Sequence, residues 1–261
     1  MSKKNIKMIA LDMDGTLLND AGSIPQANVQ ALGQALAKGI KIILVSARPA
    51  CAMLPYYQQL HLADMPMAAL CGAYIVHHGM AIQEKTIPAV VCGKILSLFD
   101  MERDYIKAYG KNSLYVNRIT DETIKYAENF NVPYKKVDFL AVPPDKICRI
   151  YIPGILQKQA KLAAIQAVGM NHANLLESGI EIMPGGINKG SAVEFLCKRY
   201  GFLAENVMAA GNEGSDVSMV SAAGVGVAVG NAIASLQKIA DVVVASNNEA
   251  GVAEAVQRYC L

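Results

Sequence analysis

Short apolar runs alternate with longer, helix-like segments at both ends of the chain, and no other sequence feature constrains the fold as strongly. Alternation of this kind is typical of βαβ units, whose strands form a parallel sheet. The runs with the composition of buried strands are Lys7 to Leu11, Ile40 to Val45, Met67 to Leu70, Val207 to Ala210, Val225 to Val229 and Val242 to Ala245. We therefore predict an α/β fold with a doubly wound, Rossmann-like parallel-sheet core that both ends of the chain share.

The middle of the chain differs from both ends. Positions 81–185 hold 13 of the 24 Lys and Arg residues and 11 of the 22 Asp and Glu residues, about half of the charge in well under half of the length. Its own strand and helix candidates are Ser113 to Asn117, Asp121 to Asn129, Ile147 to Ile152, Leu156 to Val168 and Asn174 to Ser178. We expect residues 81–185 to form a smaller α/β cap domain, inserted into a core made of residues 1–80 and 186–261.

Composition argues against several classes of function. The 261 residues carry a formal net charge of only +2, which offers no general attraction to nucleic acid or to an anionic membrane. The six cysteines contain no C-x-x-C pair, which argues against a zinc ribbon or a redox dithiol. No run reaches the roughly 18 apolar residues of a membrane span. We expect a cytoplasmic protein without nucleic-acid or membrane partners, and the sequence leaves its oligomeric state open.

The segment Asp12-Met13-Asp14-Gly15-Thr16 directly follows the first predicted strand. Two carboxylates at the carboxyl end of a parallel strand lie where α/β proteins bind ligands. One can act as nucleophile and Mg²⁺ ligand while the other donates a proton, because carboxylates suit both roles in phosphate chemistry. Taken alone, the same segment is equally compatible with two solvated acids before a turn glycine.

Polar residues also follow two other predicted strands and open one helix. Ser46, Ala47 and Arg48 come after the second strand, and the acidic segment Gly211 to Asp216 comes after a later one. Lys189 opens a helix after a pair of glycines, where an anion is favoured. A serine at a strand end is often only a helix cap and a lone lysine is often a surface residue. Together with the acid pair, however, the set favours phosphoryl transfer.

In their order along the chain these motifs resemble those of the haloacid dehalogenase-like hydrolases, and within them the Cof-type phosphatases with a large inserted cap. The resemblance covers essentially the whole chain. It rests on D-x-D-G-T at Asp12 to Thr16, S/T-x-R at Ser46 to Arg48, the lysine at Lys189 and a counterpart of G-D-x-x-N-D-x-x-M at Gly211 to Met219.

The resemblance implies a Mg²⁺-dependent phosphatase that hydrolyses a small phosphorylated metabolite. Asp12 would attack phosphorus and form an aspartyl-phosphate, and Asp14 would protonate the leaving alcohol and then activate water. Ser46 would bind the transferring group and Lys189 would neutralise its charge. The implied substrate-binding residues are Thr16, Ser46, Ala47, Arg48 and Lys189, and the implied metal-binding residues are Asp12, Asp14, Asn212 and Asp216.

The chain departs from this family pattern at three positions. Asn212 stands where the family has an acid and Ser215 stands where it has an asparagine. Asn212 still offers a neutral oxygen to Mg²⁺, but the loss of a negative charge predicts weaker metal binding. Glu213 is a possible substitute ligand. Cys71 precedes Gly72-Ala73 where relatives usually have Asn, and we expect a buried thiol there.

These departures leave alternatives open beside the phosphatase hypothesis. A catalytically weakened relative would bind a phosphorylated ligand or a partner without efficient turnover. A phosphomutase would share the aspartyl-phosphate step and would transfer the phosphoryl group to a second hydroxyl, although nothing in the sequence favours it.

Overall fold

The computed structural model of the protein describes residues 5–141, 146–154, 158–176 and 178–261. The strands in chain order are β1 (Met8–Leu11), β2 (Lys41–Leu44), β3 (Met67–Ala69), β4 (Tyr74–His77), β5 (Met80–Glu84), β6 (Lys107–Gly110), β7 (Ser113–Val116), β8 (Tyr134–Lys136), β9 (Arg149–Pro153), β10 (Asn171–Leu176), β11 (Gly179–Pro184), β12 (Val207–Gly211), β13 (Val225–Ala228) and β14 (Val242–Val243). The α-helices are α1 (Gln26–Ala37), α2 (Ala50–Gln59), α3 (Ala89–Leu96), α4 (Asp121–Phe130), α5 (Lys158–Val168), α6 (Lys189–Tyr200), α7 (Val217–Ala222), α8 (Ala234–Ile239) and α9 (Gly251–Tyr259).

Both ends of the chain contribute strands to one five-stranded parallel sheet. Its order is β14-β13-β12-β1-β2, so β1 lies between β2 from the same end of the chain and β12 from the other. In register, Met8 lies opposite both Lys41 and Val207. All residues of β1, β12 and β13 are buried, as expected for strands covered on both faces. The predicted shared parallel core is confirmed.

A second, mainly antiparallel sheet has the order β10-β11-β9-β6-β7-β8, with only β7 and β8 parallel. On β9, Ile150 and Ile152 are buried in a hydrophobic cluster that includes residues of α3 and α5. Arg149 and Tyr151 alternate with them and therefore project from the opposite face, because successive side chains of a strand point to opposite sides. This sheet and its helices form the additional α/β unit that the sequence predicts.

A small antiparallel sheet of β3, β4 and β5 joins the two larger ones along the chain. The predicted boundary between residues 80 and 81 falls inside β5, which continues to Glu84. We still propose residues 81–185 as the cap and 1–80 with 186–261 as the core. The predicted start of α5 at Leu156 and the predicted inclusion of residue 177 in β10 lie outside the described residues.

None of the helices described in residues 5–141, 146–154, 158–176 and 178–261 is long and apolar enough to cross a membrane.

Candidate active site

The polar motifs meet at the carboxyl edge of the parallel sheet because β2, β1 and β12 are neighbours there. Asp12 follows β1, Ser46 follows β2 and Asn212 follows β12. Lys189 is the first residue of α6, which begins at a capping box between the side chains and backbone of Asn188 and Ser191. Residues that are up to 200 positions apart in sequence therefore share one rim.

Lys189 lies between two buried carboxylates. Its Nζ atom donates to Asp12 Oδ1 and to Asp216 Oδ1, each at 2.6 Å. Burial disfavours the charged ammonium, but the two carboxylates outweigh this effect and hold the pKa of Lys189 well above its ordinary value. Two negative groups thus share one positive group in a site without free access to water.

Asp12 carries the excess negative charge of this cluster. Burial raises its pKa from the ordinary value of 3.8 to about 7, and the charge of Asp216 adds to the shift against the opposing charge of Lys189. Since a buried anion is stable only with a compensating partner, Asp12 favours a further positive group beside it. A bound cation would be such a group.

Asp216 anchors the loop that follows β12. Its Oδ2 atom accepts from the backbone N–H groups of Asn212 and Glu213, each at 2.9 Å, while its Oδ1 atom binds Lys189. The carboxylate is completely buried. Its contacts make Asp216 a support for Lys189 and for the loop, and its predicted part in metal binding stays a proposal.

Asp14 and Arg48 form a two-point ion pair across the rim. Arg48 donates from Nε to Asp14 Oδ2 at 2.8 Å and from Nη2 to Asp14 Oδ1 at 2.5 Å. The Asp14 side chain is 60% exposed and the Arg48 side chain only 6%. The buried guanidinium therefore holds the exposed carboxylate in one orientation, because two parallel hydrogen bonds fix the planes of both groups.

The Asn212 amide lies at the spacing of neighbouring cation ligands from one oxygen of Asp12 and from the backbone oxygen of Asp14. One terminal atom of the Asn212 side-chain amide lies 3.0 Å from Asp12 Oδ2 and 3.0 Å from the backbone oxygen of Asp14. Mg²⁺ prefers octahedral oxygen ligands at about 2.1 Å, so that adjacent ligands lie about 3.0 Å apart. The donor set fits Mg²⁺ when the amide oxygen faces the other two oxygens.

No group of three Asp, Glu, His or Cys side chains within the described part of the chain could hold a metal ion. A cation at this rim would therefore depend on the amide of Asn212 and on a main-chain carbonyl. In the opposite orientation the amide nitrogen donates to Asp12 Oδ2 and to the Asp14 carbonyl, and it lies 2.9 Å from Thr16 Oγ1. The neutral amide can thus satisfy these acceptors with no cation present, which a carboxylate could not do.

Gly15 permits this close approach of Asn212. Its φ angle is +74°, and a Cβ atom there would lie 2.6 Å from the Asn212 amide. Any larger residue would both strain the backbone and displace the amide. The glycine of the D-x-D-G-T segment therefore has a specific steric reason in this chain.

The remaining predicted residues lie at the same rim with fewer contacts. Ser46 is buried, and its Oγ atom accepts from the Arg48 backbone N–H at 3.1 Å, while Ala47 between them is half-buried. In the described residues no hydrogen bond joins Ser46 to Asp12, so its binding of a phosphoryl group remains a prediction. Glu213 Oε2 accepts from the N–H of Gly214, so the side chain caps its own loop. Ser215 is half-buried.

A second buried ion pair, which the sequence reasoning missed, lies on the sheet of the proposed cap. Arg149 Nε on β9 donates to Glu181 Oε1 on β11 at 2.8 Å, and both side chains are buried. Cys71 donates from Sγ to the same Glu181 oxygen at 3.5 Å, and burial raises its thiol pKa well above the ordinary value. The predicted buried thiol is thus observed, and it connects the rim to the proposed cap. Each of the two strands, β9 and β11, holds one charged residue in an otherwise apolar sequence, and this pattern could have indicated the pair.

Comparisons with known proteins agree with the motifs. A model of the haloacid dehalogenase-like hydrolase family matches residues 9–256. The chain is 28% identical to the 5-amino-6-(5-phospho-D-ribitylamino)uracil phosphatase YcsE of Bacillus subtilis, with 98% of this chain and 97% of that protein covered. It is 25% identical to the pyridoxal phosphate phosphatase YbhA of Escherichia coli, with 98% and 99% covered.

Among solved structures, a haloacid dehalogenase-like hydrolase from Bacteroides thetaiotaomicron superposes with a TM-score of 0.81 at 27% identity and covers 97% of this chain and 99% of its own. The fold, the order of the motifs and the family match therefore agree. The chain belongs to the haloacid dehalogenase-like hydrolases, within their Cof-type group.

Proposed function

We propose that the protein is a Mg²⁺-dependent phosphatase that hydrolyses a small phosphorylated metabolite through an aspartyl-phosphate on Asp12. The observation that carries the proposal is the buried Asp12 carboxylate, held by Lys189 on one oxygen and facing with the other the Asn212 amide, which also contacts the Asp14 carbonyl. Relatives named as phosphatases support the reaction class. Their different named substrates leave the metabolite open.

The first half of the reaction forms a bond between a carboxylate oxygen of Asp12 and phosphorus while the bond from phosphorus to the leaving oxygen breaks. Asp14 in its protonated form donates a proton to that leaving oxygen, which can reach the side chain because it is 60% exposed. Lys189 holds Asp12 in place and offsets the negative charge that gathers there. In this proposal Thr16, Ser46, Ala47, Arg48 and Lys189 line the phosphoryl site.

The second half reverses these roles. Asp14, now ionised, takes a proton from water, and the water oxygen attacks phosphorus, so that the acyl-phosphate bond breaks and inorganic phosphate leaves. Asp12 is then an ionised carboxylate again. Mg²⁺, bound by Asp12, the Asp14 carbonyl and Asn212, with Asp216 supporting the site, would supply positive charge that neutralises the phosphoryl oxygens.

The decisive variant is Asp12→Asn, which keeps the size of the side chain and removes the nucleophile. With p-nitrophenyl phosphate over a series of Mg²⁺ concentrations, we expect kcat to fall by at least about 10³-fold. A hydrolysis rate for Asp12→Asn equal to that of the wild-type protein at saturating Mg²⁺ would contradict the proposal. A single cooperative thermal unfolding transition and an unchanged far-UV circular dichroism spectrum would serve as the folding control.

A second candidate function is ligand binding without efficient turnover, and the Asn212 amide favours it. Because the amide nitrogen can satisfy Asp12 and the Asp14 carbonyl without a cation, the metal-free site is already complete in its hydrogen bonds. This alternative predicts negligible hydrolysis by the wild-type protein at any Mg²⁺ concentration. It also predicts that inorganic phosphate still raises the Tm of the wild-type protein.

A further inference from the structure

The aromatic side chain that ends helix α4 lies on the face of the arginine that holds Asp14. The ring centroid of Phe130 is 4.1 Å from Arg48 Cζ, a distance typical of a cation–π contact. Phe130 is half-buried and belongs to the proposed cap, whereas Arg48 belongs to the core. This contact joins the proposed cap to the rim of the candidate active site.

Phe130 is itself held by neighbouring aromatic rings. Its ring makes an edge contact with Tyr126, with centroids 4.9 Å apart, and Tyr126 makes a second edge contact with Tyr109 at 6.1 Å. Helix α4 ends directly after Phe130, where Asn131 adopts the left-handed conformation. The Phe130 ring thus packs between Tyr126 and Arg48.

Asp14 depends on Arg48 for its orientation. Among residues 5–141, 146–154, 158–176 and 178–261, only Arg48 donates a hydrogen bond to the Asp14 carboxylate. The third guanidinium nitrogen, Nη1, is buried without a hydrogen-bond partner in the described residues. Hydrogen bonds therefore hold one edge of the guanidinium, and ring contacts hold its plane. Phe130 provides the closer contact, since the Tyr56 ring lies 5.2 Å from Cζ.

We propose that Phe130 is a positioning residue that orients Asp14 through the guanidinium plane of Arg48. The proposal rests on the proposed function, in which Asp14 protonates the leaving oxygen. The Phe130 ring packs on the plane of the Arg48 guanidinium and fixes that plane. The two hydrogen bonds from the guanidinium then fix the orientation of the Asp14 carboxylate. The contact acts on proton transfer to the leaving oxygen, which accompanies formation of the acyl-phosphate on Asp12.

The proposal predicts that loss of the ring affects substrates according to their leaving group. A good leaving group such as p-nitrophenolate departs without a proton, whereas the alkoxide of glycerol 2-phosphate requires one from Asp14. In a single turnover of Phe130→Ala we expect release of the leaving group from glycerol 2-phosphate to slow by about 10- to 100-fold, and its release from p-nitrophenyl phosphate to slow by less than about threefold. We expect Phe130→Tyr, which keeps the ring, to restore both rates.

Two further variants serve as references. Asp14→Asn should show the same dependence on the leaving group, but more strongly. Tyr134→Ala removes a partly exposed ring from β8 of the proposed cap and should leave both rates unchanged. An equal fall of the single-turnover rate of leaving-group release for both substrates in Phe130→Ala, or a change in KM alone, would overturn the proposal, because it would assign the ring a general role in closing or stabilising the cap.

A readout that needs no turnover keeps this test separate from that of the proposed function. In the wild-type protein the Arg48 Nε–H group should give a distinct NMR signal, because Asp14 fixes it. In Phe130→Ala, and to a smaller extent in Phe130→Leu, we expect the Nε–H proton to exchange with water faster than in the wild-type protein, toward the rate of a free arginine. An unchanged exchange rate of the Arg48 Nε–H proton in Phe130→Ala overturns the positioning role, whereas activity retained in Asp12→Asn overturns only the phosphatase.

Discussion

Two buried ionic clusters in the described residues differ in charge balance. In the proposed cap, Arg149 pairs with Glu181 one to one, and the neutral Cys71 thiol of the proposed core donates to the same Glu181 oxygen. In the core, Lys189 alone faces Asp12 and Asp216. Both clusters are almost completely shielded from water, so the difference lies in the numbers of charges and not in solvent access.

The balance of charges decides whether the carboxylate pKa in each cluster is raised or lowered. Burial opposes the ionisation of Glu181, yet the charge and hydrogen bond of Arg149 hold its pKa below the ordinary value. Burial and Asp216 together raise the pKa of Asp12 to about 7 in spite of Lys189. A balanced pair is complete in itself, whereas an unbalanced cluster calls for a further cation. This contrast separates a structural ion pair from a candidate catalytic one.

The largest effect is expected from Lys189→Met, because it leaves two buried carboxylates without a positive partner. We expect kcat with p-nitrophenyl phosphate to fall by about 10³-fold or more and the free energy of unfolding to fall by about 3 to 5 kcal/mol. Steady-state kinetics and urea denaturation measure the two effects. Lys198→Met, at an exposed ion pair with Glu194 on the same helix, is the matched control and should change neither by much. Comparable effects of both substitutions would contradict the assignment.

A double-mutant cycle on Arg149 and Glu181 tests the balanced cluster. Arg149→Met alone leaves a buried carboxylate unpaired, so we expect the free energy of unfolding to fall by about 3 to 5 kcal/mol. Arg149→Met combined with Glu181→Met replaces the pair by apolar side chains and should recover most of this loss. The double variant being less stable than Arg149→Met would show that the pair is not balanced as described.

Asn212→Asp tests the unbalanced cluster by restoring a carboxylate beside Asp12. We expect the affinity for Mg²⁺, measured by calorimetric titration, to rise by about 10- to 100-fold, because a hard cation prefers charged oxygen ligands. Without metal, the same variant should have a lower Tm than the wild-type protein, since a carboxylate cannot donate to Asp12 and the Asp14 carbonyl. An unchanged Mg²⁺ affinity would mean that Asn212 does not face the cation.

The smallest effect concerns the pH dependence of stability in the metal-free protein. Because folding raises the pKa of Asp12, its contribution to stability is fully present below the ordinary pKa of 3.8 and is lost as the pH rises through about 7. Relative to the wild-type protein, Asp12→Asn should therefore gain on the order of 2 kcal/mol in the free energy of unfolding between pH 4 and pH 8. Urea denaturation in the presence of a chelator measures the difference. A difference independent of pH would place the Asp12 pKa near its ordinary value.

The core was accessible to sequence reasoning because its signals are local. Buried parallel strands give continuous apolar runs, and each strand of the core sheet ends within one residue of its predicted position, apart from β14, which ends two residues early. The strands of the proposed cap were harder to recognise. β6 reads Lys-Ala-Tyr-Gly and β8 reads Tyr-Lys-Lys with all three residues exposed, so neither has a strong apolar pattern. Helix α3 and strand β11 were likewise not assigned individually.

The sequence by itself determined the α/β class, the split of the core between the two chain ends and the motif residues that line the rim, because each depends on residues adjacent in the chain. Only the tertiary structure decided that Lys189 serves two carboxylates, that Glu181 pairs with Arg149 and that Phe130 covers Arg48. These contacts join residues 27 to 177 positions apart, and their energies depend on burial that the folded chain alone creates.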